Sequence, residues 1–438
     1  RSGPLMRVVQ LANFYSPTSG GLRVAVDRLG AGYRAQGIDT MLIVPGPATS
    51  HRPGLIQLAA PRLPNGSGYR VIVSRRAVLR ALAASRPDLI EVHDKVLQHW
   101  LWDWSRRHRV PVVAVSHERL DATLGYLLPR VPAGLLARAA NRIAGRTAAE
   151  CDRLVVCSAF AAAEFGGHDP AGRRLRQIAL GVDLEQFRPA VHRSERAAQH
   201  TATPTGDPAR PIRLIAVGRL SAEKRPDLAV STLAELHRRG VPAELTLLGS
   251  GPWEPRLRRQ AAGMAVRFAG HLSPSSRVAA AITDCDIALV PGPAETFGLA
   301  ALESLACGVA TVVVRGAGTA EVIDLDRRAG RAVEPDPASF ADAVCDLAAA
   351  DGQKRAAAAR ALAERFTWAR TVESMLAVQA EVGRPASPAP VSGAGRRGAG
   401  HNSSRTASST RHSRTVPGQP EILASFGPVS LDSVIGMP

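Results

Sequence analysis

The sequence predicts an α/β protein of two doubly wound, parallel-sheet domains facing across a cleft, in the manner of dinucleotide-binding folds. Three observations predict it. Strand-length apolar runs alternate with amphipathic helical stretches, an order that calls for crossover helices on a parallel sheet. The alternation occurs twice, on either side of a polar, proline-bearing stretch over 190–211. The 438 residues, 45% of them hydrophobic, are too many for one ordinary domain and enough for two full cores.

In the first half, 7–12 reads as a strand, 22–36 as a helix, 40–44 and 56–58 as strands, and 71–85 as a helix. Further buried strands are expected at 89–92, 112–115 and 154–156. This half closes near Gly181-Val-Asp-Leu-Glu-Gln-Phe187, which sets a first domain at 6–189 and a linker at 190–211. The second half repeats the pattern over 212–367. It has strands at 212–217, 243–248 and 285–290, and helices starting near Pro226 and near Phe297. After Gly383 the chain turns rich in Ser, Gly, Pro and Arg without periodicity, so 383–438 is expected to be a disordered tail.

Charge and cysteine usage narrow the function classes. The net charge is +17, and the tail holds only six Arg against one Glu and one Asp, so most of the excess sits on the folded body. Such an excess asks for an anionic partner. Nucleic acid is disfavoured: aromatics are 4% of the chain and no binding motif interleaves them with the charges. An anionic membrane surface fits better, because 70–86 carries Arg70, Arg75, Arg76, Arg80 and Arg86 among aliphatics and is amphipathic as a helix. A packed helix with a solvated Arg face is the plainer alternative. No apolar run is long enough to span a bilayer, and the first residues lack the regions of a secretory signal. The five cysteines (151, 157, 285, 307 and 345) have no metal-ligand spacing and an odd count, as suits a reducing compartment. The expected location is the cytoplasm, peripherally at the inner face of the plasma membrane.

The chemistry concentrates in three segments. Glu295-Thr-Phe-Gly-Leu-Ala-Ala-Leu-Glu303 follows a strand and opens a helix. There the amides of Phe297, Gly298 and Leu299 lack helical partners and face an anion with the positive end of the dipole behind them. A carboxylate on each side can accept from hydroxyls, which suits a sugar nucleotide; the plainer reading is a helix cap followed by an exposed Glu. About seventy residues earlier, Gly218-Arg-Leu-Ser-Ala-Glu-Lys-Arg225 places Arg219 and Lys224 on the turn after a strand. Open parallel sheets bind ligands at such turns, where Arg forks onto phosphate oxygens and Lys acts as a compact charge. The Gly249-Ser-Gly-Pro252 turn is by itself weak, since most such turns are ordinary. In the first half, Gly20 and Gly21 close a loop before the first long helix, where backbone amides can approach a diphosphate. His117 lies just past a strand end, and Asp94, beside His93, is a weaker acceptor-site candidate. A lone His is more often structural.

Taken together, these residues resemble the retaining GT-B enzymes of glycosyltransferase family 4 over roughly residues 6–380. The shared pattern is Gly218-Arg219 with Lys224, Gly249 to Pro252, Glu295 to Glu303, and Ala306-Cys307-Gly308. The resemblance implies that Gly20, Gly21, Arg219, Lys224, Glu295, Phe297, Gly298, Leu299 and Glu303 bind the donor. Within that set, Glu295 would hold sugar hydroxyls and Glu303 the ribose. His117 would contact the donor sugar near the reacting carbon, making His117, Glu295, Arg219 and Lys224 the catalytic group. It also implies that 368–382 forms a helix crossing back onto the first domain. Charge building on the departing β-phosphate would be met by Arg219, Lys224 and the helix amides. No cofactor is expected, and no visible metal-ligand cluster requires Mg2+.

Longer runs are similar to the actinobacterial phosphatidylinositol mannosyltransferases. They are Met6-Arg-Val-Val-Gln-Leu-Ala-Asn-Phe-Tyr15, Ser116-His-Glu-Arg-Leu-Asp121 and Gly292 through Gly308. This likeness implies GDP-mannose as donor and a phosphatidylinositol mannoside as acceptor in an α-1,6 link, with Asn65, Ser67 and Arg70 near the lipid phosphate and inositol. The loop 270–273 is the expected neighbourhood of the base. Two alternatives stay open: a family 4 enzyme using another nucleotide sugar or a soluble glycan or metabolite, and a basic binding protein that has lost turnover. Oligomeric state is not legible.

Overall fold

The computed structural model describes residues 6–16, 20–62, 69–95, 98–127, 130–169, 172–189 and 211–383. Its first half runs β1 (Arg7–Leu11), α1 (Gly21–Ala35), β2 (Asp39–Gly46), β3 (Ser50–Arg52), β4 (Leu55–Ala59), α2 (Arg75–Ser85), β5 (Leu89–Val92) and α3 (Gln98–His108). It continues through β6 (Val112–Ser116), α4 (Leu120–Leu127), α5 (Ala133–Glu150), β7 (Arg153–Val156), α6 (Ala159–Ala162) and β8 (Leu175–Gln177). The strands form one sheet in the order β3-β4-β2-β1-β5-β6-β7-β8, parallel except where β3 returns antiparallel to β4. β5 and β6 are buried at every residue because helices cover both faces, which is why their sequences, Glu91 and Ser116 apart, are aliphatic rather than alternating.

The second half runs β9 (Ile212–Val217), α7 (Pro226–Arg238), β10 (Ala243–Leu248), α8 (Glu254–Gln260), β11 (Val266–Gly270), α9 (Ser275–Thr283), β12 (Ile287–Val290) and α10 (Leu299–Ala306). β13 (Ala310–Val314), α11 (Gly318–Ile323), β14 (Gly330–Val333), α12 (Pro337–Ala349), α13 (Gly352–Ala363) and α14 (Trp368–Gly383) follow. The second sheet is parallel in the order β11-β10-β9-β12-β13-β14. Strand order reverses between β1 and β5 in one sheet and between β9 and β12 in the other. Crevices at such switch points are where open α/β sheets take ligands. The loops after β1, β5, β9 and β12 carry Gly20 and Gly21, Asp94, Arg219 and Lys224, and Glu295, while His117 follows β6.

Two elements start later than the periodicity suggests. The helix expected from 70 or 71 begins at Arg75. Ile72 N donates to Asn13 Oδ1 at 2.9 Å and Val71 N to the Pro61 carbonyl, so that stretch stays extended until Ser74 caps the helix. Arg70 therefore lies outside α2, and Arg86 is its left-handed cap. Likewise α10 begins at Leu299 rather than Phe297, because Gly298 sits at φ +81°, a conformation that ends the loop before the helix can start.

α14 lies on the first sheet's helical layer. Gly32 of α1 leaves room for Val372, whose Cγ2 would stand 2.3 Å from any Cβ there. Val372, Met375 and Val378 then join Val8, Leu29, Tyr33 and Val113 in one buried cluster. Glu381 pairs with Arg153 at 2.7 Å and Arg176 at 2.9 Å on the rim. Between the halves, Glu321 accepts from Ala159 N at 2.9 Å and Phe160 N at 2.6 Å, so a carboxylate of α11 caps the N-terminus of α6. Arg360 of α13 reaches the Phe187 carbonyl at 2.8 Å and that of Ala306 at 2.9 Å, tying the end of the first half to α10. The tail at 383–438 lies outside the described residues apart from Gly383.

Candidate active site

The site is assembled on the loop from Pro291 to Gly298. β12 delivers it, and the neighbouring turn shapes it: Gly318 N donates to Glu295 O at 2.8 Å, and a Cβ on Gly298 would strike Thr319 Cγ2 at 2.0 Å. Only glycine at 298 satisfies both the positive φ and this close approach. Phe297 is buried, its ring meeting Phe366 edge to face with centroids 5.9 Å apart, so its side chain anchors the loop and only its backbone serves the opening. Thr296 crosses to the other half, where its hydroxyl donates to the His117 carbonyl at 2.6 Å. One short loop thus carries Glu295 and His117 to the same place.

Lys224 ends a short 3-10 turn after β9 and forms an ion pair with Glu295; the side chains are 38% and 17% exposed. Partial burial disfavours the ammonium, but Glu295, Glu223 and Tyr69 outweigh it and hold the Lys224 pKa above its usual value. Lys224 is therefore charged at neutral pH. The turn that precedes it is braced by glycine packing: Gly249, at φ +141°, and Gly251 would each place a Cβ within 2.3 Å of a backbone oxygen, of Gly218 and Leu220 respectively. In this structure the Gly249 to Pro252 turn is thus a support for the Arg219 turn. The Arg219 guanidinium lies over the Tyr69 ring at 4.7 Å, across the cleft. Burial is the main effect raising the Tyr69 phenol, against the lowering pull of Arg219 and Lys224.

From the first half, α1 begins at Gly21 with Gly20 as its cap. A Cβ on Gly21 would touch Leu299 Cδ1 at 3.7 Å. The N-termini of α1 and α10 therefore meet, one from each half, with Lys224 and Arg219 on the adjoining turn. Two converging helix dipoles and two cations make one anion-seeking position. Glu303, on α10, is half-buried, and burial alone pushes its pKa up to about 8. His117 follows β6, with its Nε2 3.0 Å from His93 Nδ1. Burial, then His93 and Lys95, push its pKa well below the ordinary value, so the ring is neutral at pH 7.

Not every expected residue joins this group. Asn65 and Ser67 lie outside the described residues. Arg70 donates from Nη1 to the Ala60 carbonyl at 2.6 Å, which ties it to its own loop. Asp94, taken from the sequence as an acceptor candidate, is 5% exposed and accepts from Asn13 N at 2.9 Å, holding the loop after β1. Sequence reasoning missed Tyr69, Thr296, Glu321 and the role of His93. Of these only His93, at a strand end beside the switch point, carried a positional signal. Among the described residues no cluster of His, Cys, Asp and Glu is arranged to hold a metal ion.

This fold, with an anion cradle at facing switch points, defines a nucleotide-sugar type of transferase, and comparison with known proteins agrees. The family described as Glycosyltransferase Family 4 matches residues 19–186, and Glycosyl transferases group 1 matches 211–350. The chain belongs to glycosyltransferase family 4. It is 44% identical over 378 residues to the GDP-mannose-dependent alpha-(1-6)-phosphatidylinositol dimannoside mannosyltransferase of Mycobacterium tuberculosis, covering 85% of this chain and 95% of that one. It is 31% identical over 330 residues to a D-inositol 3-phosphate glycosyltransferase of Saccharomonospora viridis, covering 69% and 73%. Among solved structures, sucrose-phosphate synthase from Thermosynechococcus elongatus superposes with a TM-score of 0.67 at 17% identity, over 86% of this chain and 99% of that one. A glycosyltransferase of lipopolysaccharide biosynthesis, WaaG, gives 0.62 at 17%, over 84% and 98%. These likenesses establish the two-domain GT-B fold.

The raised Glu303 pKa yields a proton-linkage prediction. At pH 7 the carboxyl is mostly protonated, and hydroxyl donors would favour the carboxylate if, as the family resemblance implies, Glu303 faces the ribose of a bound nucleotide. GDP binding should then release a proton at pH 7, and affinity should fall as pH drops below about 8. Calorimetry in buffers of different ionisation enthalpy measures the release. Glu303→Gln should remove it, and an unchanged proton count in that variant would contradict the assignment.

Proposed function

We propose that this enzyme moves mannose from GDP-mannose onto a phosphatidylinositol mannoside through an α-1,6 link, working at the cytoplasmic face of the membrane. The observation that carries the reading is the 44% identity to a mannosyltransferase of that specificity over 95% of its length. The site supports it chemically. The β-phosphate would lie where the α1 and α10 N-termini converge, with Arg219 and Lys224 against its oxygens. Charge on that group grows as the glycosidic bond breaks, so cations and dipoles fixed beforehand stabilise the transition state more than the ground state. Glu295, paired with Lys224 in the unliganded cleft, would exchange that partner for sugar hydroxyls while the phosphate takes over the lysine. Neutral His117 would face the sugar, Glu303 would accept from the ribose, and the departing phosphate would assist removal of the acceptor proton.

The membrane face fits the same reading. α2 buries Val78, Ala81 and Leu82 and exposes Arg75, Arg76 and Arg80, with Val73 just before it 64% exposed. α5, linked to α3 by the Arg106–Glu150 ion pair, exposes Leu135 and Ile143 beside Arg138, Arg142 and Arg146. Apolar side chains set among arginines suit the boundary of an anionic leaflet. No helix among the described residues is long and apolar enough to cross a membrane.

Two experiments test this. Purified enzyme with GDP-[14C]mannose and phosphatidylinositol dimannoside in mixed micelles should place label in the organic phase. Glu295→Gln should reduce turnover by roughly a hundredfold or more, while GDP affinity changes little. Label that stays aqueous with GDP binding intact would redirect the reading to a soluble acceptor. For the membrane, charge reversal at Arg75 and Arg76 should weaken binding to anionic vesicles by at least roughly thirtyfold at low salt, since each basic residue near such a surface contributes about 1 kcal/mol and the introduced acids add repulsion. Co-sedimentation unaffected by the reversal would remove α2 from that role.

A further inference from the structure

Behind the cleft, on the first sheet, lies a group of polar side chains that the proposed reaction does not use. Glu91, on β5, is fully buried, as is the His93 side chain two residues on. A carboxylate without solvent costs several kcal/mol unless it is hydrogen-bonded, and this one is. Its Oε1 accepts from Tyr33 OH at 2.8 Å and from Gln379 Nε2 at 2.6 Å. Its Oε2 accepts from Gln10 Nε2 at 3.3 Å and stands 3.6 Å from His93 Nε2. On the other side of the same ring, His93 Nδ1 is 3.0 Å from His117 Nε2, and the two imidazole planes lie within 22° of each other, edge to edge, with centroids 5.2 Å apart. The series runs from α1 and α14 through β5 to the cleft.

The chemistry of each atom sets the direction. A carboxylate only accepts, so it favours the proton of His93 on Nε2; Gln10 Nε2, 3.5 Å from the same ring nitrogen, gives its hydrogen to the carboxylate at the shorter distance of 3.3 Å. His93 Nδ1 is then a lone pair, and it must take the proton of His117 Nε2. His117 is left with Nδ1 as its only free lone pair. Its carbonyl is meanwhile held by Thr296 at 2.6 Å, so backbone and ring are fixed from opposite sides. The neutrality of His117 agrees with one proton on a ring of one tautomer.

We propose that Glu91 and His93 are positioning residues for the transfer reaction: a buried relay that fixes the tautomer and ring orientation of His117 at the cleft. The inference rests on the reading that His117 faces the donor sugar. It adds two residues that touch neither donor nor acceptor, and through Gln379 it ties the state of His117 to the seating of α14. An imidazole free to exchange tautomers would present the wrong nitrogen part of the time, a loss seen in turnover rather than in donor binding.

The test reads the tautomer directly. In enzyme labelled with 15N-histidine, the His117 signal is identified by its loss in His117→Gln. It should show one neutral form, protonated at Nε2. In His93→Phe, a ring of similar shape without nitrogen, both tautomers should appear. The kcat for mannose transfer should fall roughly tenfold or more, with the KM for GDP-mannose within about threefold. His93→Asn, whose amide oxygen can stand near the lost Nδ1, should restore much of both. Should His93→Phe not fold, Glu91→Gln keeps the shape, removes the charge, and should mix the tautomers in the same way. A His117 spectrum and kcat unchanged in the His93 variant, or in Glu91→Gln where that one is used, overturns the relay. Full activity in His117→Gln overturns instead the reading of His117 on which the relay rests, a result distinguishable from the first.

Discussion

The docking of the Glu295–Gly298 loop between the two halves of the molecule is the contact on which the rest of the site depends. Four consecutive residues each use a different part of themselves. Glu295 accepts Gly318 N through its carbonyl and pairs with Lys224 through its carboxylate. Thr296 holds the His117 carbonyl, Phe297 fills the core, and Gly298 turns the chain so that α10 begins facing the opening. A polar bond such as Thr296 to His117 contributes only about 1 kcal/mol by itself. Its importance is geometric, because it sets the distance between the residue expected at the sugar and the cradle expected at the phosphates. Glu321 at the α6 N-terminus and Arg360 at the Phe187 carbonyl reinforce the same alignment from further out.

The electrostatics follow from that alignment. A cleft gathering Lys224, Arg219 and two helix N-termini would repel itself if nothing offset the charge. Glu295 neutralises Lys224, and the Tyr69 ring takes the face of Arg219. Glu303 differs: burial alone raises its pKa to about 8. The unliganded site is thus nearly balanced, with its stabilising power directed at an anion.

Much of this was legible in the sequence. Strands buried on both faces, such as Val112–Ser116 and Ile287–Val290, announce themselves as mostly aliphatic runs of strand length. Glu295, Arg219, Lys224, Gly20 and Gly21 stood out because the turns that carry them follow strands, and Glu303 because it lies in the helix that one of those turns opens. What was not legible depends on partners far apart in the chain. Nothing near Tyr69 tells that its ring meets Arg219, and nothing near Thr296 tells that it binds a residue 179 positions earlier. The amphipathic pattern from 70 onward did not reveal that Asn13 would hold Ile72 extended and delay α2 to Arg75. Glu91 reads as one polar break in a strand until α1 and α14 are laid over it. The residues expected to do chemistry were chosen from local pattern, whereas the contacts that position them required the folded chain.

How the leaving charge is handled is recorded in the product. NMR of the glycolipid formed from GDP-mannose in the presence of EDTA gives the configuration at the new linkage. Protein cations and helix termini, with attack from the face the phosphate leaves, predict an α-linked mannose formed at an undiminished rate. A β-linked product, or turnover abolished by EDTA and restored by a divalent ion, would contradict it.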